Sequence, residues 1–350
     1  MRLDSYSAAR PWAKAIREAV ITRKMPPWLA DPAHGKFAND NSLSQAEIQI
    51  ISSWALNTPR IEIHDALPAQ EWSIGKPDAI FTMPQPMPIP AQGTIDYQYI
   101  PLPTHFENDR WIQSVEVRPS DPSVVHHAVV YIRDPGSTWT NGPTQSDVLM
   151  VYTPGNNYDV WPAGMAKKIK AGADLVLQMH YTVNGKPTQD QTHIGVTFDT
   201  QPPDQAILTL QLNQDHFLIP PGDPAYRVQV SGTLPNDAVL LSMFPHMHLR
   251  GKGFEYAIAG PNGHYETLLS VPRYDFHWQL NYKLAAPRLL RAGTRLVCTA
   301  WFDNSPNNPN NPDPSAEVRY GEQSWEEMMI GFFDVAVDAK LDKPSFFVRH

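Results

Sequence analysis

The sequence predicts a mainly β protein: two jelly-roll-like β-sandwich domains preceded by a short helical segment. Three observations predict it. From Trp72 onward the chain breaks into short apolar runs, several with the alternation of a half-buried strand. Thirty-five prolines among 350 residues set turns between those runs. The runs also fall into two sets, divided where Thr200-Gln-Pro-Pro interrupts the strand pattern, and the count of strands fits two jelly rolls.

Residues 1–60 read as helical. Trp12, Ile16 and Val20 recur every fourth residue as one apolar stripe, and Pro11 suits a first helical turn. Ser44-Gln-Ala-Glu47 is a capping box, with Leu43 and Ile48 placed for a hydrophobic staple, and that helix runs to about Trp54. Between the helices, Met25-Pro26-Pro27-Trp28 enforces an extended loop. Residues 61–74 read as a linker. A first sandwich, 75–203, has strands at Trp111–Val117, Val124–Ile132, Asp174–Thr182 and Thr192–Phe198. A second, 204–350, has them at Ile207–Leu212, Arg227–Leu234, Val239–Pro245, Phe254–Ala259, Arg295–Phe302 and Met329–Val335. The Asn/Pro-rich stretch Asn304–Pro314 reads as a surface loop without regular structure.

Composition narrows the function classes. Hydrophobic residues make up 42%, enough for sizeable cores, and charged residues only 18%. The net charge of -8 argues against a nucleic-acid partner, which favours a basic patch. No apolar stretch approaches the ~20 residues of a membrane span. Cys298 is the only cysteine, which excludes an intrachain disulfide. Met1-Arg-Leu-Asp-Ser-Tyr has no apolar signal-peptide core, so the expectation is either a cytoplasmic protein or a chain that begins downstream of its natural start.

Four segments carry the chemistry. They are Val124-Val-His126-His127, Leu177-Gln-Met-His180-Tyr, Met243-Phe-Pro-His246-Met-His248 and Trp325-Glu-Glu-Met328-Met329. Together they offer imidazoles and a thioether without a thiolate, a set that suits copper cycling between Cu(I) and Cu(II). A structural zinc site more often uses cysteines. On a strand His246 and His248 face the same side and converge on one ion. His126 and His127 are adjacent, so alternation puts them on opposite faces and joint ligation needs a bulge or a strand end. His180 in its apolar run also reads as a core histidine with a satisfied ring, and Met328 and Met329 also read as core filler. The other histidines (His34, His64, His105, His193, His216, His264, His277 and His350) show no comparable pairing.

In their order, a His-His pair, Gln-x-His-Tyr, His-x-His-x-x-Gly-Lys and Glu-Met, these segments resemble the copper type II, ascorbate-dependent monooxygenases. This is the family of peptidylglycine α-hydroxylating and dopamine β-monooxygenases, and the resemblance covers about residues 75–340. It implies two jelly-roll-like domains, each holding one copper, with a solvent-filled cleft between two separate sites. Carried over by position, His126, His127 and His180 bind the electron-transfer copper, and His246, His248 and Met328 bind the oxygen-activating copper. Gln178 matches the family's glutamine two residues before the third histidine and joins His246, His248 and Met328 in the catalytic set. Met328 is preferred to Met329 because it follows Glu327 directly. Two departures bear on substrate. The peptide-amidating enzymes have an arginine where this chain has Phe244, and a substrate-holding tyrosine where it has Phe332, so a peptide C-terminus is not the expected substrate.

The N-terminal part resembles the second half of a c-type cytochrome domain, with Met25-Pro-Pro-Trp28 similar to its axial-methionine loop. Cys-x-x-Cys-His is absent, so the resemblance implies haem c only in a full-length form and not in this chain. That form is expected to be periplasmic or secreted. The function implied is hydroxylation of a C–H bond of a small molecule with O2 and an external electron donor, ascorbate or a cytochrome. Two alternatives stand beside it. One is a copper-binding or electron-transfer protein without hydroxylase activity. The other is a jelly-roll interaction module in which the histidines are incidental.

Overall fold

The computed structural model describes residues 5–57, 71–137, 147–260 and 264–341. Most of the expected linker, with His64 and His350, lies outside the described residues. The chain forms two compact units. In the first (residues 1–29 and 39–71), a short helix Tyr6–Ala9 leads through a 3₁₀ turn, Arg10–Trp12, into helix Ala13–Ile21, and a further helix spans Gln45–Asn57. The capping box forms as predicted: the Ser44 N–H donates to Glu47 Oε2 (2.8 Å) and the Glu47 N–H to Ser44 Oγ (3.3 Å). Val20 is buried, whereas Trp12 is exposed. The reason is the 3₁₀ turn, whose three residues per turn rotate Trp12 out of the stripe that follows it.

The second unit, residues 30–38 and 72–350, is the mainly β part. Residues 30–38 join it through a bridge from Phe37 to Leu284 and an edge-on contact between the Phe37 and Tyr282 rings. Its largest sheet has nine strands. The main path runs Ala79–Thr82, His193–Phe198, Arg110–Arg118, Met165–Ile169, Gln205–Asn213, Ile330–Asp338, Ala238–His246 and Tyr282–Leu290, and Tyr158–Val160 pairs with Arg110–Arg118. The sheet crosses residue 203 through a short parallel contact, Gln205 and Ala206 beside Met165 and Ala166. Strands Gln98–Pro103, Asp174–Tyr181, Val125–Arg133 and Asp147–Tyr152 form one four-stranded sheet, in that order. Tyr226–Thr233, Arg295–Phe302, Gly251–Ala259 and Tyr265–Val271 form a second. The architecture is that of β-sandwiches of the jelly-roll kind.

Alternation decides what each strand buries. Ala128, Val130 and Ile132 of one strand, and Leu175, Leu177, Met179 and Tyr181 of its neighbour, pack with Ile112, Val115, Val117, Ile194 and Val196 of the large sheet. The opposite face of the four-stranded sheet carries His127, Val129, Tyr131, Gln178 and His180. In the second half Gly331 must be glycine: a Cβ there lies 2.6 Å from the Sγ of buried Cys298 and 3.1 Å from the Tyr256 ring. The loop 304–314 has no strand, but Asn304 and Ser305 are buried rather than on the surface. The Asn304 amide donates to the carbonyls of Pro220 and Ala316 while its oxygen accepts from Arg250 and from the Asn311 amide, so four bonds hold it inside.

Candidate metal centre

The adjacent histidines meet by a bulge. Pairing between Val125–Arg133 and Asp174–Tyr181 slips between Val125, opposite Tyr181, and His127, opposite His180. His126 is the extra residue, and the bulge turns it out of strict alternation onto the side of its neighbour. His126 Nδ1 lies 3.0 Å from His127 Nδ1, and His180 Nδ1 lies 3.4 Å from it. One ligand atom from each of the three falls within 4.8 Å of the other two.

His246 ends strand Ala238–His246 and His248 lies just beyond it, with ring centroids 5.3 Å apart. The turn is held from both sides. Met247 exchanges two hydrogen bonds with the Tyr274 hydroxyl, its N–H donating at 3.0 Å and its carbonyl accepting at 2.8 Å. The N–H groups of His248 and Arg250 donate to the two carboxylate oxygens of Glu327, at 2.9 and 2.6 Å. Glu327 is fully buried, and burial pushes its carboxyl up to about 8 against those backbone donors. Its neighbours part ways: Met328 lines a cavity beside His246, whereas Met329 is buried.

The two groups are adjacent, not separate as the resemblance implied. The His127 and His246 ring centroids are 6.1 Å apart. The segment 274–281 joins them. Phe276 stacks on His126 at 4.4 Å and meets His248 edge-on at 6.1 Å. Gln279 Oε1 lies 2.7 Å from His246 Nδ1, and the Gln279 carbonyl accepts from the Thr153 hydroxyl at 2.6 Å.

All five rings are held neutral. Burial pushes His126 down to about 3 and His180 and His246 to about 4, with neighbouring imidazoles adding at His126 and His180. Burial also holds His127 and His248 well below the usual histidine range. Neutral imidazole is the metal-binding form. The Nε2 atoms of His126 and His248 are buried without a hydrogen-bond partner, which costs free energy unless something else takes up the lone pair or the proton. The donor set therefore fits a soft or borderline metal.

Beside the rings lies a cavity of about 440 Å³ whose wall includes His127, His246, Gln178 and Met328. Tyr97, Tyr99, Tyr131, Tyr320, Phe244 and Phe332 supply aromatic surface, and Glu322 and Asp215 supply carboxylates. Gln178 donates to the Tyr99 hydroxyl at 2.6 Å. The Tyr97 ring lies 4.8 Å from His180 and 5.8 Å from His127.

Sequence reasoning missed Gln279, Phe276, Tyr97 and Glu322. None sits in a histidine motif, and the only trace was Phe-His-Trp-Gln at 276–279, a polar interruption between apolar residues. His277, set aside for want of pairing, is exposed, with its ring 6.0 Å from that of His126.

No protein-family model matches the chain, and no curated protein matches it. Solved structures give distant likenesses. A structure of PNGF-II shares 11% identity over 74% of this chain and 66% of its own, with a TM-score of 0.33. The major capsid protein P2 of bacteriophage PM2 shares 9% over 75% and 98%, with a TM-score of 0.34. An allantoicase shares 7% over 62% and 80%, with a TM-score of 0.21. No activity is carried over from them. Among the described residues no helix is long and apolar enough to cross a membrane.

Proposed function

We propose that this protein is a copper-dependent monooxygenase that hydroxylates a C–H bond of a small molecule, using O2 and an external one-electron donor. The observation that carries the reading is the convergence of five neutral histidines, two with orphaned buried nitrogens, beside a thioether-lined cavity. His126, His127 and His180 would hold one copper, and His246, His248 and Met328 the other. Bound copper supplies one-electron redox chemistry and activation of O2.

The protein's own groups do the rest. Burial keeps the imidazoles unprotonated, so no proton competes for the ligand atoms above about pH 4 at His180 and His246. Glu327 fixes the backbone at His248 and Arg250, one residue before Met328. Phe244 and Phe332 present apolar surface to the substrate. With Glu322 and Asp215 on the wall, and no lysine or arginine among the described residues lining it, the cavity favours a neutral or cationic substrate over an anion. Overall, C–H, O2, two electrons and two protons give C–OH and water.

The test is copper content followed by oxygen consumption. Two coppers per chain and ascorbate-dependent O2 uptake are expected. Uptake should rise with small amines or neutral aromatics and not with carboxylates. A chain that binds no copper sinks the reading. A chain whose copper is reduced by ascorbate without O2 uptake is an electron-transfer protein instead.

A further inference from the structure

The geometry points to Gln279 as the positioning residue that selects the tautomer of His246, leaving Nε2 as the ring's metal-binding atom. The inference rests on the copper reading only for what Nε2 binds; the tautomer itself is a property of the protein without metal.

The Gln279 amide has a fixed orientation. Its Nε2 donates to the Phe276 carbonyl at 3.1 Å. A carbonyl only accepts, so turning the amide over would set oxygen against oxygen. The amide oxygen must therefore face His246 Nδ1, 2.7 Å away. An amide oxygen also only accepts, so the proton of this bond belongs to Nδ1. In the neutral ring that binds metal, a proton fixed on Nδ1 leaves the lone pair on Nε2.

Gln279 is itself fixed. It is 2% exposed, and its carbonyl accepts from the hydroxyl of Thr153, in the first half of the β unit. The same residue thus orients a histidine of one metal group and is anchored to the half that carries the other. A residue that fixes a ligand's tautomer this way is worth about 10–100-fold in metal affinity.

The test reads the proton directly. Nitrogen-15 NMR of the metal-free protein reports the tautomer of each histidine, and His246 is assigned as the signal lost in His246→Gln. The wild type is expected to show Nδ1–H. Gln279→Leu removes the acceptor and should lose that tautomer, whereas Gln279→Glu keeps an oxygen there and should retain it. Cu(I) affinity measured by chelator competition should fall about 10–100-fold at one of two sites in Gln279→Leu and recover in Gln279→Glu. A role in packing alone predicts no recovery specific to an acceptor. Nε2–H in the wild type overturns the inference, as does Nδ1–H persisting in Gln279→Leu. Should the leucine variant fail to fold, the wild type and Gln279→Glu decide the matter. A wild type that shows Nδ1–H yet binds no copper sinks the copper reading and leaves the tautomer standing.

Discussion

His127 and His246 come from different halves of the β unit, yet their rings approach to 6.1 Å between centroids. Two metal ions bound by the two groups would be close neighbours. In the oxidised, fully loaded protein, the electron paramagnetic resonance signal is therefore expected to be broadened by dipolar coupling, or partly lost. Protein loaded with half as much copper should show a sharp signal. A full-load spectrum that is the plain sum of two sharp signals would contradict the observed adjacency.

Met328 faces the cavity and Met329 the interior, so the two substitutions separate cleanly. Met328→Leu is expected to abolish copper–sulfur scattering in the X-ray absorption of the reduced protein and to remove most oxygen consumption, while copper still binds through the histidines. Met329→Leu should leave the sulfur signal in place and cost less than ~1.5 kcal/mol of stability, as volume-conserving core swaps do. Persistence of the sulfur signal in Met328→Leu would hand the role to another methionine.

His180→Ala removes one member of the three-histidine group. That group is expected to lose its copper or bind it at least ~10-fold more weakly. The His246 group should keep its copper–sulfur signal. Loss of both coppers together would mean that the groups do not fill independently.

Glu327 accepts backbone N–H bonds with both oxygens and is fully buried. Glu327→Gln turns one acceptor into a donor that opposes an N–H. The expected loss is about 1–3 kcal/mol, read as a lower urea midpoint. Copper at the His248 group should weaken, with the three-histidine group unaffected. An unchanged midpoint would mean that the clamp contributes nothing.

Gly331→Ala sets a methyl group against Cys298 Sγ and the Tyr256 ring, both of them buried. Overpacking of this kind costs about 1–3 kcal/mol. The double variant Gly331→Ala with Cys298→Ala should regain part of that loss, and no gain would place the strain elsewhere.

Much of the β architecture was legible because alternation is a strong signal. The run around Val125–Arg133 shows it plainly, as does Asp174–Tyr181. Two strands bearing proline were harder to see. Pro101 and Pro103 lie in Gln98–Pro103, and Pro287 in Tyr282–Leu290. Both strands lie at sheet ends, where a missing N–H is tolerated. The histidines were legible by residue type and spacing. The bulge that lets His126 join His127 was legible only as a requirement of their joint ligation, with a strand end as the alternative, because one inserted residue leaves no mark in the local pattern. Gln279 was invisible for a different reason: its role comes from a contact 33 residues away in sequence, set by the path of a loop. The adjacency of the two groups is likewise a matter of how the halves are joined.

The nine-stranded sheet runs from Ala79–Thr82 to Tyr282–Leu290 without a break, and the Thr153–Gln279 bond and the Phe276–His126 stack close the same junction near the rings. His246 ends a strand of that sheet, and the three-histidine group sits on the four-stranded sheet whose apolar face packs with its first half, so the gap between the two groups is set by packed sheets and not by a hinge. On the proposed copper reading, an electron crossing it would wait for no diffusive closure. Turnover should then be indifferent to solvent viscosity at saturating substrate, where an enzyme that must swing its halves together slows as glycerol is added.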